Sequence, residues 1–475
     1  MPLHDDFGMA TLSRDSVTAL PMQLRRESST PLAAQLADAL RSAAVSGQLR
    51  VGDRLPSTRA LAARLEVSRT VAAAAYEQLH AEGWIAGQHG SGTYVTTVPA
   101  AAASAEQPRY PSRPEGMRLD LVPGTPWADG LDRAAWRRAW RTASDVDPLL
   151  RPQRSGLAEF RTTVAEHLLR HRGLVAEAGS VLATSGTSSA AGELAAAGVF
   201  GADATIAVEE PGYQRAVQAF RSCGLRVVPV PVDSGGLIPE AVPAGVRAVY
   251  CSPAHQYPLG GRMVAARRVA LVERARAEGL LVIEDDYDGE LRYDVAPLPL
   301  LAALAPDVVV HLGTTSKILT PTLGVGWMVA PQPVAAQLLA YREQTGINPA
   351  AAGQRVLVEL ARNGDLARHL RRLRRELAAR RAMVVDYLTA KGLTVRGDDA
   401  GAHIVVPLPS PGAERAVLDA AAEQGIWLDG LRRHYAAEPS EYGVALGYSN
   451  CSRETLRAAL PELVGILSEG SAPCG

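Results

Sequence analysis

Cysteine is scarce, and its scarcity excludes two classes of protein. The four thiols in 475 residues (Cys223, Cys251, Cys451, Cys474) form no Cys-x-x-Cys pair. They offer neither a disulfide frame nor a zinc site, and reduced cytosolic thiols are expected. No apolar run reaches the roughly 18 residues that a membrane span needs. The opening Met1-Pro-Leu-His-Asp-Asp6 lacks the charged-then-apolar pattern of a signal peptide, so a cytoplasmic protein without membrane partners is expected. An excess of one charge is missing too. Lys and Arg number 49 against 50 Asp and Glu, a net charge of -1, so any contact with nucleic acid has to come from local placement. Aromatics are only 5% of a chain rich in alanine and arginine, the composition of a soluble globular protein. Its length is too great for one core and suits two or three domains.

What is present begins at Pro31. Leu32, Leu36, Leu40 and Ala44 recur at helical spacing, closed by Gly47. After a turn over 51–56, Ser57 is a credible N-cap for a short helix carrying Leu61 and Leu65. Ser68 caps a third helix through Val71, Ala75 and Leu79. Gly83, Gly87, Gly90 and Gly92 then punctuate two short β segments, Trp84-Ile-Ala86 and Thr93-Tyr-Val95, which read as a hairpin wing. Three helices and a wing predict a winged helix-turn-helix whose third helix enters the major groove. Arg69 and Thr70 fall on its first turn, where a guanidinium can pair bidentately with guanine. Arg59 starts the preceding helix, and His89-Gly90 lies at the wing tip. Residues 31–95 hold six arginines against five acids; a small protein-binding domain is the bland alternative, but the arginines cluster at the helix starts and wing that DNA contact needs.

Gly52-Asp-Arg-Leu-Pro-Ser-Thr-Arg59, Val67-Ser-Arg-Thr70 and Gln88-His-Gly-Ser-Gly-Thr-Tyr-Val95 resemble the GntR family of bacterial regulators. The resemblance implies that Arg54, Ser57, Arg59, Ser68, Arg69, Thr70, His89 and Gly90 stand at DNA-contacting positions. A DNA-binding domain over 22–96 is expected, then a proline-rich, semi-flexible linker over 97–118.

From 119 to 470 the chain alternates buried β runs with helical stretches, an α/β pattern that ends in a smaller α/β piece. Val181–Thr184, Ala204–Val208, Val227–Val232, Ala248–Cys251, Leu281–Glu284, Val308–Leu312 and Val325–Val329 read as strands. Thr184-Ser-Gly-Thr-Ser-Ser189 follows a strand and opens a helix, so the N–H groups of Gly186, Thr187 and Ser188 can cradle a phosphate. Tyr213 follows another strand and can stack on an aromatic ring. Asp285 and Tyr287, two residues apart, point to one face; a carboxylate there can hold a pyridine nitrogen protonated, and a phenol can bond a ring oxygen. Lys317 follows the next strand and can form an internal aldimine if its pKa is lowered. Singly, each has a bland reading: Asp285, Asp286 and Asp288 as a metal site or solvated strand end, Lys317 as a surface lysine, Tyr213 as a core aromatic. In this order they form one set.

This half resembles fold-type I aminotransferases, and the whole chain resembles the MocR/GabR family, in which a GntR head is fused to such a domain. The resemblance implies pyridoxal 5′-phosphate as cofactor. Lys317 then matches the Schiff-base lysine with Ser316 beside it, Asp285 the pyridine partner, Tyr287 the phenol and Tyr213 the stacking ring. Gly186, Thr187 and Ser188 match the phosphate loop, His255 and Gln256 the cofactor floor, and Arg215 a residue near the effector. Three departures stand out. Gly324 replaces the arginine expected on the phosphate, and Leu150-Arg-Pro-Gln-Arg-Ser-Gly156 lacks the usual tyrosine, leaving Arg151 or Arg154 to restore the charge. Tyr442–Gly447 lacks the arginine that grips an α-carboxylate, with Arg432 and Arg433 as stand-ins. A run of arginines over 362–381 reads as the solvated face of a packed helix.

The expected function is a homodimeric transcriptional regulator that binds operator DNA and senses a small amine or amino acid through an aldimine at Lys317. Three alternatives stay open: sensing of pyridoxal phosphate itself, a working aminotransferase with a DNA-binding appendage, and a pocket that has lost the cofactor.

Overall fold

The computed structural model describes residues 24–45, 48–88, 92–97, 116–293 and 298–471. The chain divides into two compact units, Met1–Ser112 and Arg113–Gly475. Gly47, the wing tip His89-Gly90 and most of the linker lie outside the described residues.

In the first unit α1 (Leu32–Val45), α2 (Thr58–Arg64) and α3 (Arg69–Ala81) close on Leu36, Leu40, Leu61, Ala72, Ala75 and Leu79. The side chain of Ser57 accepts the Ala60 N–H at 3.2 Å and that of Ser68 accepts the Val71 N–H at 3.3 Å, so each helix starts where its cap stands. The wing pairs β2 (Ile85–Gln88) with β3 (Gly92–Val95). A third strand corrects the turn expected over 51–56: β1 (Arg54–Leu55) pairs antiparallel with β3, Arg54 opposite Tyr94. A two-residue strand carries no periodicity to be read.

The second unit is built on one eight-stranded sheet. Its strands are β5 (Val181–Thr184), β6 (Thr205–Glu210), β7 (Arg226–Asp233), β8 (Gly236–Leu237), β9 (Ala248–Cys251), β10 (Leu281–Asp286), β11 (Val309–Thr314) and β12 (Gly326–Val329). Their order is β5-β12-β11-β10-β9-β6-β7-β8, and β7, β6, β9, β10 and β11 run parallel. Alternate residues feed opposite cores: Val282 and Val309 pack on one face, Ile283 and Val310 on the other. Coverage on both faces is why these strands are continuously apolar.

Around the sheet lie α5 (Ala158–Arg172), α6 (Thr187–Ala196), α7 (Gln214–Ser222) and α8 (Ala265–Glu278). Past α10 (Gln332–Thr345) and α11 (Ala351–Arg362), the helix α12 (Asp365–Ala390) leads to a small antiparallel sheet of β13 (His403–Leu408), β16 (Tyr442–Gly447) and β15 (Asp429–Gly430). The segment β4 (Leu119–Asp120) runs parallel to β14 (Ile426–Trp427) beside it.

The arginines of α12 correct the expectation of a solvated face. Arg380, 1% exposed, donates to the carbonyls of Tyr448, Ser449 and Cys451. Arg374 donates to the Glu290 carbonyl and Arg381 to that of Gly397 at 2.7 Å. Only part of the run faces water, Arg371 and Arg375 among it. Guanidinium groups can end on carbonyls deep in a fold while their stems pack as apolar rods.

Candidate functional site

The first candidate surface is the start of α3. Arg69 and Thr70 are exposed there, as is Arg59 on α2, and Arg54 is exposed on the wing strand β1. The N-terminal turn of a recognition helix is where side chains meet base edges.

The second site lies beyond the carboxyl ends of the parallel strands, where α/β sheets bind ligands. Asp285 is the penultimate residue of β10, fully buried. Its Oδ2 accepts from the Tyr250 hydroxyl on β9, while Oδ1 has no hydrogen-bond partner among the described residues. Burial pushes the carboxyl up to about 7, against the pull of the Tyr250 and Thr187 hydroxyls. An unpartnered buried carboxylate oxygen asks for a cationic donor, which is what a pyridinium N–H is. The residues present therefore fit pyridoxal phosphate at this point.

Lys317 follows β11, and its Nζ donates to the Gly124 carbonyl at 2.8 Å. Burial holds its ammonium below the ordinary lysine range, while Asp288 and Asp285 pull it back up. A lysine so depressed has more neutral amine for nucleophilic attack. Gly186 caps α6, whose first residues are Thr187 and Ser188. Ser316 Oγ lies 2.9 Å from Thr314 Oγ1. These hydroxyls and the helix start can receive a phosphate.

Several groups stand differently from the plain reading of the sequence. The Tyr213 hydroxyl is 2.9 Å from Ser188 Oγ, and its ring meets Tyr257 edge-on at 6.0 Å. The Tyr287 hydroxyl is 3.1 Å from His255 Nδ1, which also faces Asp288 Oδ2 at 2.8 Å. Gln256 is spent on the loop itself, donating to the carbonyls of Pro211 and Tyr257 at 2.8 Å each. The acidic triplet at the end of β10, Asp285, Asp286 and Asp288, is no solvated strand end. Asp286 is locked by Arg172 at 2.7 and 2.8 Å, and Asp288 is on His255, all four side chains buried.

Gly324 has φ +63° and open space where a Cβ would stand, so no side chain from this position reaches the phosphate end. Arg154 does not replace it: its guanidinium is committed to Glu343 and the Ile347 carbonyl, each at 2.9 Å. Arg151 is exposed. Arg433 is ion-paired with Asp429 at 2.7 Å, which His434 also contacts at 3.1 Å. Arg432 and Arg215 are exposed, and Arg215 lies close enough to lower the Lys317 pKa.

Two functional groups escaped the sequence reading. Tyr250 sits inside an apolar strand, and only its register opposite Ile283, two residues before Asp285, puts it on the carboxylate's face. Glu209 is buried near the end of β6, and burial pushes it up to about 8. Its Oε2 accepts the Ser252 N–H at 3.1 Å, and Oε1 has no partner among the described residues.

Two family models match the chain. "Bacterial regulatory proteins, gntR family" covers residues 32–95 and "Aminotransferase class I and II" covers 129–460. The chain is also 35% identical over 457 residues, 95% of its length and 99% of the relative's, to the HTH-type pyridoxine biosynthesis transcriptional regulator PdxR of Corynebacterium glutamicum. It belongs to the gntR family, in its MocR type. A probable rhizopine catabolism regulatory protein MocR of Rhizobium meliloti is 30% identical over 483 residues, 95% of this chain and 97% of that one. Among solved structures, an archaeal alanine:glyoxylate aminotransferase superposes with TM-score 0.69 at 22% identity, covering 74% of this chain and 91% of its own. Kynurenine aminotransferase of Pyrococcus horikoshii, solved with PMP, does so with TM-score 0.67 at 25% identity, over 74% and 91%. This MocR-type regulator thus joins a DNA-binding head to a fold-type I aminotransferase domain. No helix among the described residues is long and apolar enough to cross a membrane.

Proposed function

We propose that this MocR-type regulator holds pyridoxal 5′-phosphate on Lys317 and reads the cofactor itself as its signal, altering its binding to operator DNA. The observation that carries the reading is Asp285, a fully buried carboxylate with one oxygen unpartnered among the described residues and Lys317 within its field. When bound, the cofactor supplies an aldehyde that condenses with a primary amine. The chain supplies the rest. Asp285 receives the ring nitrogen, and Tyr250 fixes that carboxylate from the far side. The first turn of α6 with Ser316 takes the phosphate, and Lys317 keeps a depressed ammonium ready to lose its proton.

Sensing of the cofactor, ahead of an amino acid, is supported by the state of the pocket arginines: Arg433, the stand-in for a carboxylate grip, is neutralised by Asp429. The PdxR relative, by name a regulator of pyridoxine biosynthesis, supports the same reading. One observation favours an amino-acid effector as second reading: the exposed guanidinium of Arg215 on α7, close to Lys317, can receive a carboxylate.

The test is the absorption spectrum of the full chain titrated with pyridoxal phosphate, beside K317A. An imine band in the native chain that K317A lacks supports the reading, and no band in either sinks it. Loss of the band on adding a particular amine would move the reading to that amine. Homodimerisation belongs to the same proposal. Leu150 at 96% exposure, with Val146 and Leu149 also exposed, is apolar surface that a second copy can cover.

A further inference from the structure

We propose that the hydrogen bond from Lys317 to the Gly124 carbonyl is the contact that ligand binding breaks, releasing the strap that anchors the linker to this domain. This rests on the reading of Lys317 given above. The strap is residues 118–127 and begins at the last residue of the linker.

Gly124 has φ +110°, and a Cβ added there would stand 2.8 Å from Lys317 Nζ. Only glycine turns its carbonyl onto the lysine in this way. The rest of the strap is stitched to the small antiparallel sheet and its surroundings. The amides of Arg118 and Leu119 donate to the Gly425 carbonyl at 2.8 and 3.0 Å, and Leu121 donates to Trp427 at 2.9 Å. The Gly447 amide of β16 donates back to the Leu121 carbonyl at 2.7 Å, and Ser449 Oγ donates to the Thr125 carbonyl. The Arg380 guanidinium covers the Trp127 ring at 5.1 Å. A second tie runs beside the first: His369 Nε2 faces the Ile318 carbonyl at 2.6 Å, and Nδ1 faces that of Gly130 at 3.3 Å.

The chemistry at Lys317 removes the donor. Its ammonium gives one proton to solvent, and the free amine attacks the aldehyde carbon. A carbon–nitrogen bond forms, and the aldehyde oxygen leaves as water with both amine hydrogens. The neutral imine nitrogen so formed has no hydrogen to offer, and the half-buried Gly124 carbonyl has lost the donor it held. The strap relaxes toward another donor, and the first segment after the linker moves with it. Ligand occupancy is thereby converted into a change at the root of the tether that carries the DNA-reading head.

Hydrogen exchange of the full-length protein, with and without pyridoxal phosphate, tests this while the absorption band is followed in the same samples. Exchange at the amides of Arg118, Leu119, Leu121 and Gly447, each a donor in the stitching of the strap, is expected to rise about tenfold when the band forms. K317Q keeps a donor but cannot condense, and its strap is expected not to respond. S449A, outside the ligand-contacting set, is expected to keep the band but to exchange fast at the strap before ligand is added. A band with strap exchange unchanged to within about twofold overturns this inference alone. No band in the native chain overturns the functional reading as well.

Discussion

Asp285 makes the affinity for pyridoxal phosphate depend on pH, with a sign that the site dictates. Its carboxyl, raised by burial to about 7, is neutral below that value and then has no charge to set against a pyridinium. Affinity should fall as pH drops below about 7 in the native chain. D285N should weaken it about 10- to 100-fold at pH 8, the range of one charge-assisted hydrogen bond, and should flatten the pH profile. Absorbance titrations at several pH values check both. Glu209 acts on stability instead. Its folded pKa, raised to about 8, lies above the unfolded value, so the stability it contributes is full in acid and is lost as pH rises through 8. E209Q cannot ionise. It should raise the melting temperature of the ligand-free protein at pH 8.5 by roughly 2 °C or more and leave it near the native value at pH 5.

Elements answer to their ends and their rivets. Ser68 caps α3 through the Val71 amide, so S68A should cost the first unit about 1 kcal/mol, read as faster exchange along α3. R69A leaves that helix intact but removes an exposed guanidinium on its first turn, which we propose reads a base. It should weaken specific DNA binding about 10- to 100-fold, with little change in non-specific affinity, as measured by fluorescence anisotropy. Behind the site, Arg172 on α5 holds Asp286 at the end of β10 with both side chains buried. R172M would strand a buried carboxylate, at a cost of about 3–5 kcal/mol, which denaturant unfolding would register.

For the whole molecule, the sequence was most legible where chemistry is local. The caps at Ser57 and Ser68 and the apolar strand runs are set by neighbours along the chain, and the two-part architecture follows from them. What it hid depends on partners far away. Tyr250 meets Asp285 only through parallel register, Lys317 meets Gly124 across 193 residues, and the arginines of α12 find carbonyls no pattern announces. Surface chemistry also belongs to this scale. L150E would place a charge on the most exposed of the large apolar side chains among the described residues, and sedimentation should then find the proposed dimer weakened toward monomer.

The pairing of β4 with β14 sets an order in time. Arg118 reaches the Gln424 carbonyl across 306 residues of sequence, so the strap cannot seat until nearly the whole chain has left the ribosome. The three helices and wing close through contacts within residues 24–97, and units of that kind fold during synthesis. Each newly made molecule therefore completes its helix-turn-helix head before its aminotransferase-like domain. On the proposed function, the head is for that interval free of any instruction from the ligand.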